Sequence, residues 1–189
     1  MARQKKYIES EVIEKAMQLF WRNGYETTSV RMLEKEMGIN QFSMYASFGN
    51  KQGVFIESVK CYQKKARIEL IDKLKSAPAE VSSIKQYFID FVNFSKEEEE
   101  SYKGCLLTNT VNELGASADP EILSEIIQFA YQVKTAFIEI LEKDTTKNKE
   151  TIAQQANYLM VALQGLSVSS KMFKKQQLDD FITGTFINI

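Results

Sequence analysis

Between Gln41 and Lys51 the chain carries two amides, three hydroxyls and one amine: Gln41, Asn50, Ser43, Tyr45, Ser47 and Lys51. Such groups donate and accept hydrogen bonds and carry positive charge, but they make a poor acid–base pair. The chain has no histidine, which removes the commonest general base and a common metal ligand. Two isolated cysteines, Cys61 and Cys105, cannot build a structural zinc site. There is no Gly-rich phosphate loop, no Gly-x-Ser-x-Gly elbow and no His-Glu-x-x-His pair. Glu113 and Asp119 read as surface-loop carboxylates, not as a catalytic pair. We therefore expect no metal, no cofactor and no enzyme. Recognition is the chemistry that remains.

The elements that must position these groups lie between Thr27 and Phe55. Thr28 or Ser29 can cap a first helix by accepting from its free N–H groups. Val30, Leu33 and Met37 then share one face. Gly38 supplies the left-handed stop. Asn40 caps a second helix running through Phe48, with Met44 and Phe48 inward. Gln41, Phe42, Ser43, Tyr45, Ala46 and Ser47 remain for the outside. Gly49-Asn50 breaks the chain again and Lys51 opens the next helix. Helix, glycine-bearing turn, helix is the arrangement that places a second helix in a DNA major groove.

The segments Thr28-Ser29-Val30, Gly38-Ile39-Asn40, Ser43-Met44-Tyr45 and Phe48-Gly49-Asn50-Lys51 resemble the DNA-binding motif of the TetR (tetracycline repressor) family of bacterial regulators. Ala16, Phe20, Gly24 and Tyr25 extend the match over the first quarter of the chain. Phe42 departs from the pattern, which usually has a small residue there, as does Ser47, where histidine is common. Both departures fall on the reading face and bear on the target sequence, not on the docking mode. The resemblance implies an all-α fold of about nine helices. A three-helix DNA-binding head would span residues 1–52, and an effector-binding and dimerisation bundle residues 53–189. It implies a homodimeric repressor, released from palindromic double-stranded operator DNA by a small molecule. Two rival readings stay open: a helical protein-interaction module that does not bind DNA, and a redox or electrophile sensor acting through Cys105.

On this reading Thr28, Tyr45 and Lys51 contact phosphates, together with the first N–H groups of the fourth helix. Ser29 belongs to the same surface. Gln41 and Ser43 reach base edges, and glutamine can bind adenine bidentately. Phe42 lies against a thymine methyl, or else packs on helix 1 or a dimer partner. Ala46 and Ser47 allow close approach to the groove.

Charge supports the division. Residues 1–75 hold 14 Lys/Arg against 9 Asp/Glu, and residues 76–189 hold 10 against 16. A basic front and an acidic back suit a head on phosphates and a body that stays off them. Arg3, Lys5 and Lys6 form a basic arm that either touches the backbone and minor groove or is a solvated terminus. The apparent absence of a signal peptide and of a membrane-spanning run, together with reduced thiols, points to a cytoplasmic protein.

Periodicity sets the remaining elements. Helix 1 runs from about Tyr7 to Asn23, with Ile8, Val12, Ala16 and Phe20 in its apolar stripe. Helix 4 runs from Lys51 to Ser76, helix 5 from Val81 to Lys96 and helix 6 from Lys103 to Leu114. Helix 7 is capped by Asp119, with Pro120 at its first position, and ends near Lys143. Helix 8 spans about Glu150 to Phe173, and helix 9 runs from Gln176 toward the end. Glu97 to Glu100 read as a solvated helix end or loop. The resemblance implies an effector pocket within helices 4 to 8. Tyr62, Phe88, Phe91, Phe129, Tyr131 and Phe137, with Asn109 and Asn112, are candidate lining for an apolar or aromatic molecule. Aromatic residues at this spacing also serve as plain core. Cys105 opens helix 6 as either a packed or a sensing thiol. The last two helices, about 150–189, are expected to pair two copies.

Overall fold

The computed structural model describes residues 7–98, 101–187 and 189, and among them the chain forms nine helices. The basic arm at Arg3, Lys5 and Lys6 lies outside the described residues. Three short helices come first: α1 (Glu9–Asn23), α2 (Val30–Met37) and α3 (Gln41–Phe48). Helix α4 begins as Lys51–Ala66, widens into a π-helical stretch at Arg67–Asp72, and ends as Lys73–Ser76. Then follow α5 (Val81–Phe94), α6 (Leu106–Leu114), α7 (Pro120–Leu141), α8 (Lys149–Ser169) and α9 (Lys175–Thr185). The fold class is all-α.

Two local expectations need correction. The acidic run is neither a helix end nor a plain loop where it is described. Lys96–Glu98 (β1) pairs antiparallel with Ser101–Tyr102 (β2). Tyr102 is buried, so the hairpin closes over an aromatic anchor. Glu99 and Glu100 lie outside the described residues. Helix α4 is not uniform either. Leu70 and Ile71 are adjacent in sequence and both buried, and the wider π turn faces both inward.

Side-chain caps set the starts of several helices. Of the two candidates at the head of α2, Ser29 is the cap: its hydroxyl accepts from the Met32 amide at 3.2 Å. Asn40 accepts from Ser43 N at 2.8 Å, and Asn50 from Gly53 N at 2.9 Å. Asp119 accepts from Glu121 N at 2.8 Å beside Pro120. Gly38 closes α2 at φ 70°, in the left-handed region.

The α1 stripe is core from Val12 to Trp21, but Ile8 is 60 % exposed. It caps α1 ahead of the first helical turn, outside the packed part of the stripe. Phe20 meets Phe55 edge-on with ring centroids 4.9 Å apart, and Tyr25 lies 4.9 Å from Phe55. These rings join α1 to α4, so the leading helices and the body share one hydrophobic core.

Candidate nucleic-acid interface and internal cavity

Helix α3 is held from beneath and left open above. Met44 is fully buried, and Gln41, Phe42 and Ala46 are exposed. Phe42 is 83 % exposed, so among the described residues it packs neither on α1 nor on any other part of this chain. Ser43, Tyr45 and Ser47 are half-buried on the flanks. Tyr7 secures the helix by donating to Ser43 O at 3.0 Å and sharing a 2.8 Å hydrogen bond with Ser47 Oγ. Sequence reasoning missed Tyr7, whose partners lie 36 and 40 residues away. Glu34 on α2 takes the Gln41 amide, which fixes the angle between the two helices.

Several expected phosphate contacts are placed otherwise. Thr28 is fully buried, and its hydroxyl donates to the Gly24 carbonyl at 2.6 Å. It braces the turn between α1 and α2 and presents no hydroxyl to solvent. Ser29 is exposed, with its oxygen engaged as the cap. The Lys51 ammonium lies 4.4 Å from the Tyr25 ring centroid, a cation–π contact that holds it at the mouth of α4. At the start of α4, the Gly53 amide is already taken by Asn50. Gly53 is also an obligate glycine, because a Cβ there would sit 1.8 Å from the Phe48 carbonyl oxygen.

The body encloses a cavity of about 320 Å³. Of the candidate residues, Tyr62, Phe91, Asn112 and Phe129 line it, and Cys105 lies on its wall as well. Phe88, Phe137 and Asn109 do not. Phe88 and Phe137 are fully buried and stack on each other and on Phe186 and Tyr87. Asn109 turns back to donate to Lys103 O at 2.8 Å. Tyr131 is 65 % exposed on the outer side of α7. Lining that the sequence reading did not name includes Ala66, Leu70, Tyr87, Leu107, Thr108, Val133, Met160, Leu163, Gln164 and Ser167.

The lining is apolar with a polar pole. Tyr62 donates to Cys105 Sγ at 3.3 Å, Ser167 Oγ accepts from Cys105 N at 2.8 Å, and Thr108 donates to Gln164 at 2.6 Å. No Asp, Glu, Lys or Arg is among the lining residues. Burial pushes the Tyr62 phenol well above the ordinary tyrosine range, and Cys105 adds to the shift. Tyr87 moves the same way for the same first cause. Both phenols stay neutral, and the cavity offers hydrogen bonds without charge.

Residues 12–57 match the family model described as bacterial regulatory proteins, tetR family. That match covers most of α1, all of α2 and α3, and the start of α4. The chain is similar to an uncharacterized HTH-type transcriptional regulator of Bacillus subtilis (strain 168), YezE. The two are 28 % identical over 137 residues, 72 % of this chain and 70 % of the relative. It is 25 % identical to the HTH-type transcriptional repressor ComR of Escherichia coli (strain K12), over 89 % of this chain and 82 % of that one. A cysteine mutant of the TetR-family regulator CifR, solved with 26-base-pair operator DNA, shares the fold. Its TM-score is 0.81 at 23 % identity, covering 97 % of both chains. These relatives are regulators and not enzymes.

Several polar ties bind the head to the body, among them Lys103 Nζ to Gln18 Oε1 at 3.1 Å and the Lys65–Glu14 ion pair. Trp21 Nε1 donates to Gly104 O at 3.0 Å. Gln52 donates to Asp119 at 2.7 Å. Glu113, at the end of α6, accepts the Tyr25 and Glu26 amides, each at 2.8 Å. Glu113 is thus neither idle nor paired with Asp119. A second apolar surface runs along α8. Tyr158, Val161, Val168 and, just beyond the helix, Met172 are exposed, Val161 at 72 % and Met172 at 78 %. Gly165 continues the same line with open space above it. Ala156, Leu159, Leu163 and Leu166 fill the inner side. No helix among the described residues is long and apolar enough to cross a membrane.

Proposed function

We propose that this protein is a homodimeric transcriptional repressor that α3 docks in successive major grooves of a palindromic operator and that a small molecule releases. Residues 1–52 act as the reading head, and residues 53–189 as the effector-binding and dimerising body. The observation that carries the reading is α3 itself: Gln41, Phe42 and Ala46 face solvent while Met44 anchors the other side. Gln41 and Ser43 read base edges, Phe42 a thymine methyl, Tyr45 and Lys51 hold the backbone, and Ala46 and Ser47 allow close approach to the groove. Thr28 and Ser29 support that surface from within the turn and the cap.

Two copies pair through α8 and α9. The outward line 158, 161, 165, 168, 172 has the three-and-four spacing of a helix seam, and Phe181 on α9 is also exposed. The effector is an uncharged apolar or aromatic molecule, because the cavity pairs apolar walls with neutral hydrogen-bonding groups. A second reading rests on Cys105. Its thiol faces that cavity and receives the Tyr62 hydroxyl, so an electrophile entering there would meet a sulfur already in a hydrogen bond. Site of action is the cytoplasm.

Selection of bound duplexes from a random pool, with sedimentation of the complex, tests the main reading. Enrichment of a two-fold symmetric sequence, bound by two copies with affinity falling steeply in salt, is the expected result. Failure to retain any duplex at low ionic strength would overturn it.

A further inference from the structure

Glu113 occupies an unusual position. Its carboxylate accepts two consecutive backbone N–H groups, those of Tyr25 and Glu26, from across 88 and 87 residues of chain. Successive amides after a left-handed residue form a concave anion site, and Gly24 has φ 87°. The fit leaves no spare room, since a Cβ on Gly24 would lie 2.7 Å from Glu113 Oε2. The same α6 that ends in Glu113 lines the cavity with Leu107, Thr108, Val111 and Asn112. Its first residue follows Cys105, whose amide and thiol are tied to Ser167 and Tyr62. Tyr62 in turn stacks edge-on against Trp21 of α1 at 4.9 Å. Lys171, drawn below the ordinary lysine range by burial, has Cys105 and Glu113 as its electrostatic neighbours. One short helix therefore has a cavity wall along its side and a head contact at its tip.

We propose that Glu113 is the latch through which the cavity and the DNA-reading head sense each other: an occupant that displaces α6 withdraws the carboxylate from the turn preceding α2. This rests on the DNA-binding reading above and names the residue that transmits regulation. Glu113 is a positioning residue, in contact with neither DNA nor effector. Because coupling between two sites is reciprocal, the effector need not be known to test the latch. If the cavity controls the head, DNA on the head must alter the cavity.

The probe is N-ethylmaleimide, whose ring alkene adds the Cys105 sulfur while the thiol proton passes to the adjacent carbon. Labelling is followed by mass spectrometry in a Cys61→Ser background, with and without a duplex from the selection. The parent should label at least about fivefold more slowly with its operator than with a duplex it does not bind. In Glu113→Gln, which keeps the shape but only one acceptor oxygen, that difference should shrink below twofold while the operator is still held. Glu113→Ala should abolish it, and if the alanine variant does not fold, the glutamine variant decides. Equal protection in the parent and in Glu113→Gln overturns the latch, and so does an operator that leaves parental labelling unchanged. Should no duplex be retained at all, the regulator reading falls on its own. The latch is then judged by hydrogen exchange at Tyr25 and Glu26. Faster exchange after Cys105 alkylation supports it, and unchanged exchange ends it.

Discussion

Replacing Phe42 with alanine separates recognition from stability more sharply than any other single change. The ring is 83 % exposed and touches no core, so the melting free energy should move by no more than about 0.5 kcal/mol. Binding should behave differently. Fully burying a phenylalanine is worth about 1.5–3 kcal/mol, and contact with one thymine methyl buries only part of the ring. Taking about 1 kcal/mol per half-site as a floor, a dimer loses about 2 kcal/mol, roughly a 30-fold weaker Kd. The contacted methyl can be removed from the other side by substituting deoxyuridine for thymidine. At about 0.8 kcal/mol per buried methyl-sized group, two half-sites cost the parent about tenfold in affinity. The Phe42→Ala protein should not distinguish the two duplexes. Fluorescence anisotropy with labelled operators, alongside thermal melts, measures all four quantities. An alanine variant that binds within twofold of the parent, or that still discriminates uridine, refutes the assignment of Phe42 to the groove.

Further expectations follow from the same geometry. Gly53→Ala drives a methyl to 1.8 Å from Phe48 O. The α3–α4 turn must then move, at a stability loss on the order of 3 kcal/mol or more, measured by urea titration, and with loss of operator binding. Gln41→Ala should weaken binding at particular base pairs. Lys51→Ala should weaken it across sequences and lower the slope of log affinity against log salt by about 1; competition with mutated duplexes at several salt concentrations tells them apart. Tyr62 and Tyr87 both have folded pKa values raised above 10.0, with burial as the first cause. Their neutral forms support the fold fully below about pH 10, where unfolded tyrosine ionises. That support drains away as pH rises beyond it. Tyr62→Phe should flatten the alkaline fall in melting temperature.

The head was legible because its information is local. Ser29, Gly38 and Asn40 act within a few residues of themselves, and Leu33, Met37 and Met44 are buried as helical spacing requires. The cavity was only half legible. Phe88 and Phe91 stand on the same helix one turn apart, yet Phe91 lines the cavity and Phe88 stacks with Phe137 and Phe186. The rotation of α5 against distant helices decides between them, and no local pattern encodes that rotation. Thr28 misled for a related reason: its hydroxyl has a backbone carbonyl four residues earlier to satisfy, a partner invisible until the turn is built.

The ties between head and body explain why so much of the coupling was beyond reach of the sequence. Trp21 to Gly104, Gln52 to Asp119 and the Tyr25–Glu26 amides to Glu113 all span at least 67 residues. Two of the donors have little freedom, an indole and a pair of backbone N–H groups. Rigid donors make such a joint two-state rather than elastic, because a hydrogen bond weakens steeply with misalignment. The Glu113 contact sets a full charge on two donors of the head at once, a charge-assisted pair that is costly to leave half made. A body that must either hold its head at one angle or let it go therefore concentrates the decision there, at the tip of α6, whose side forms part of the cavity wall.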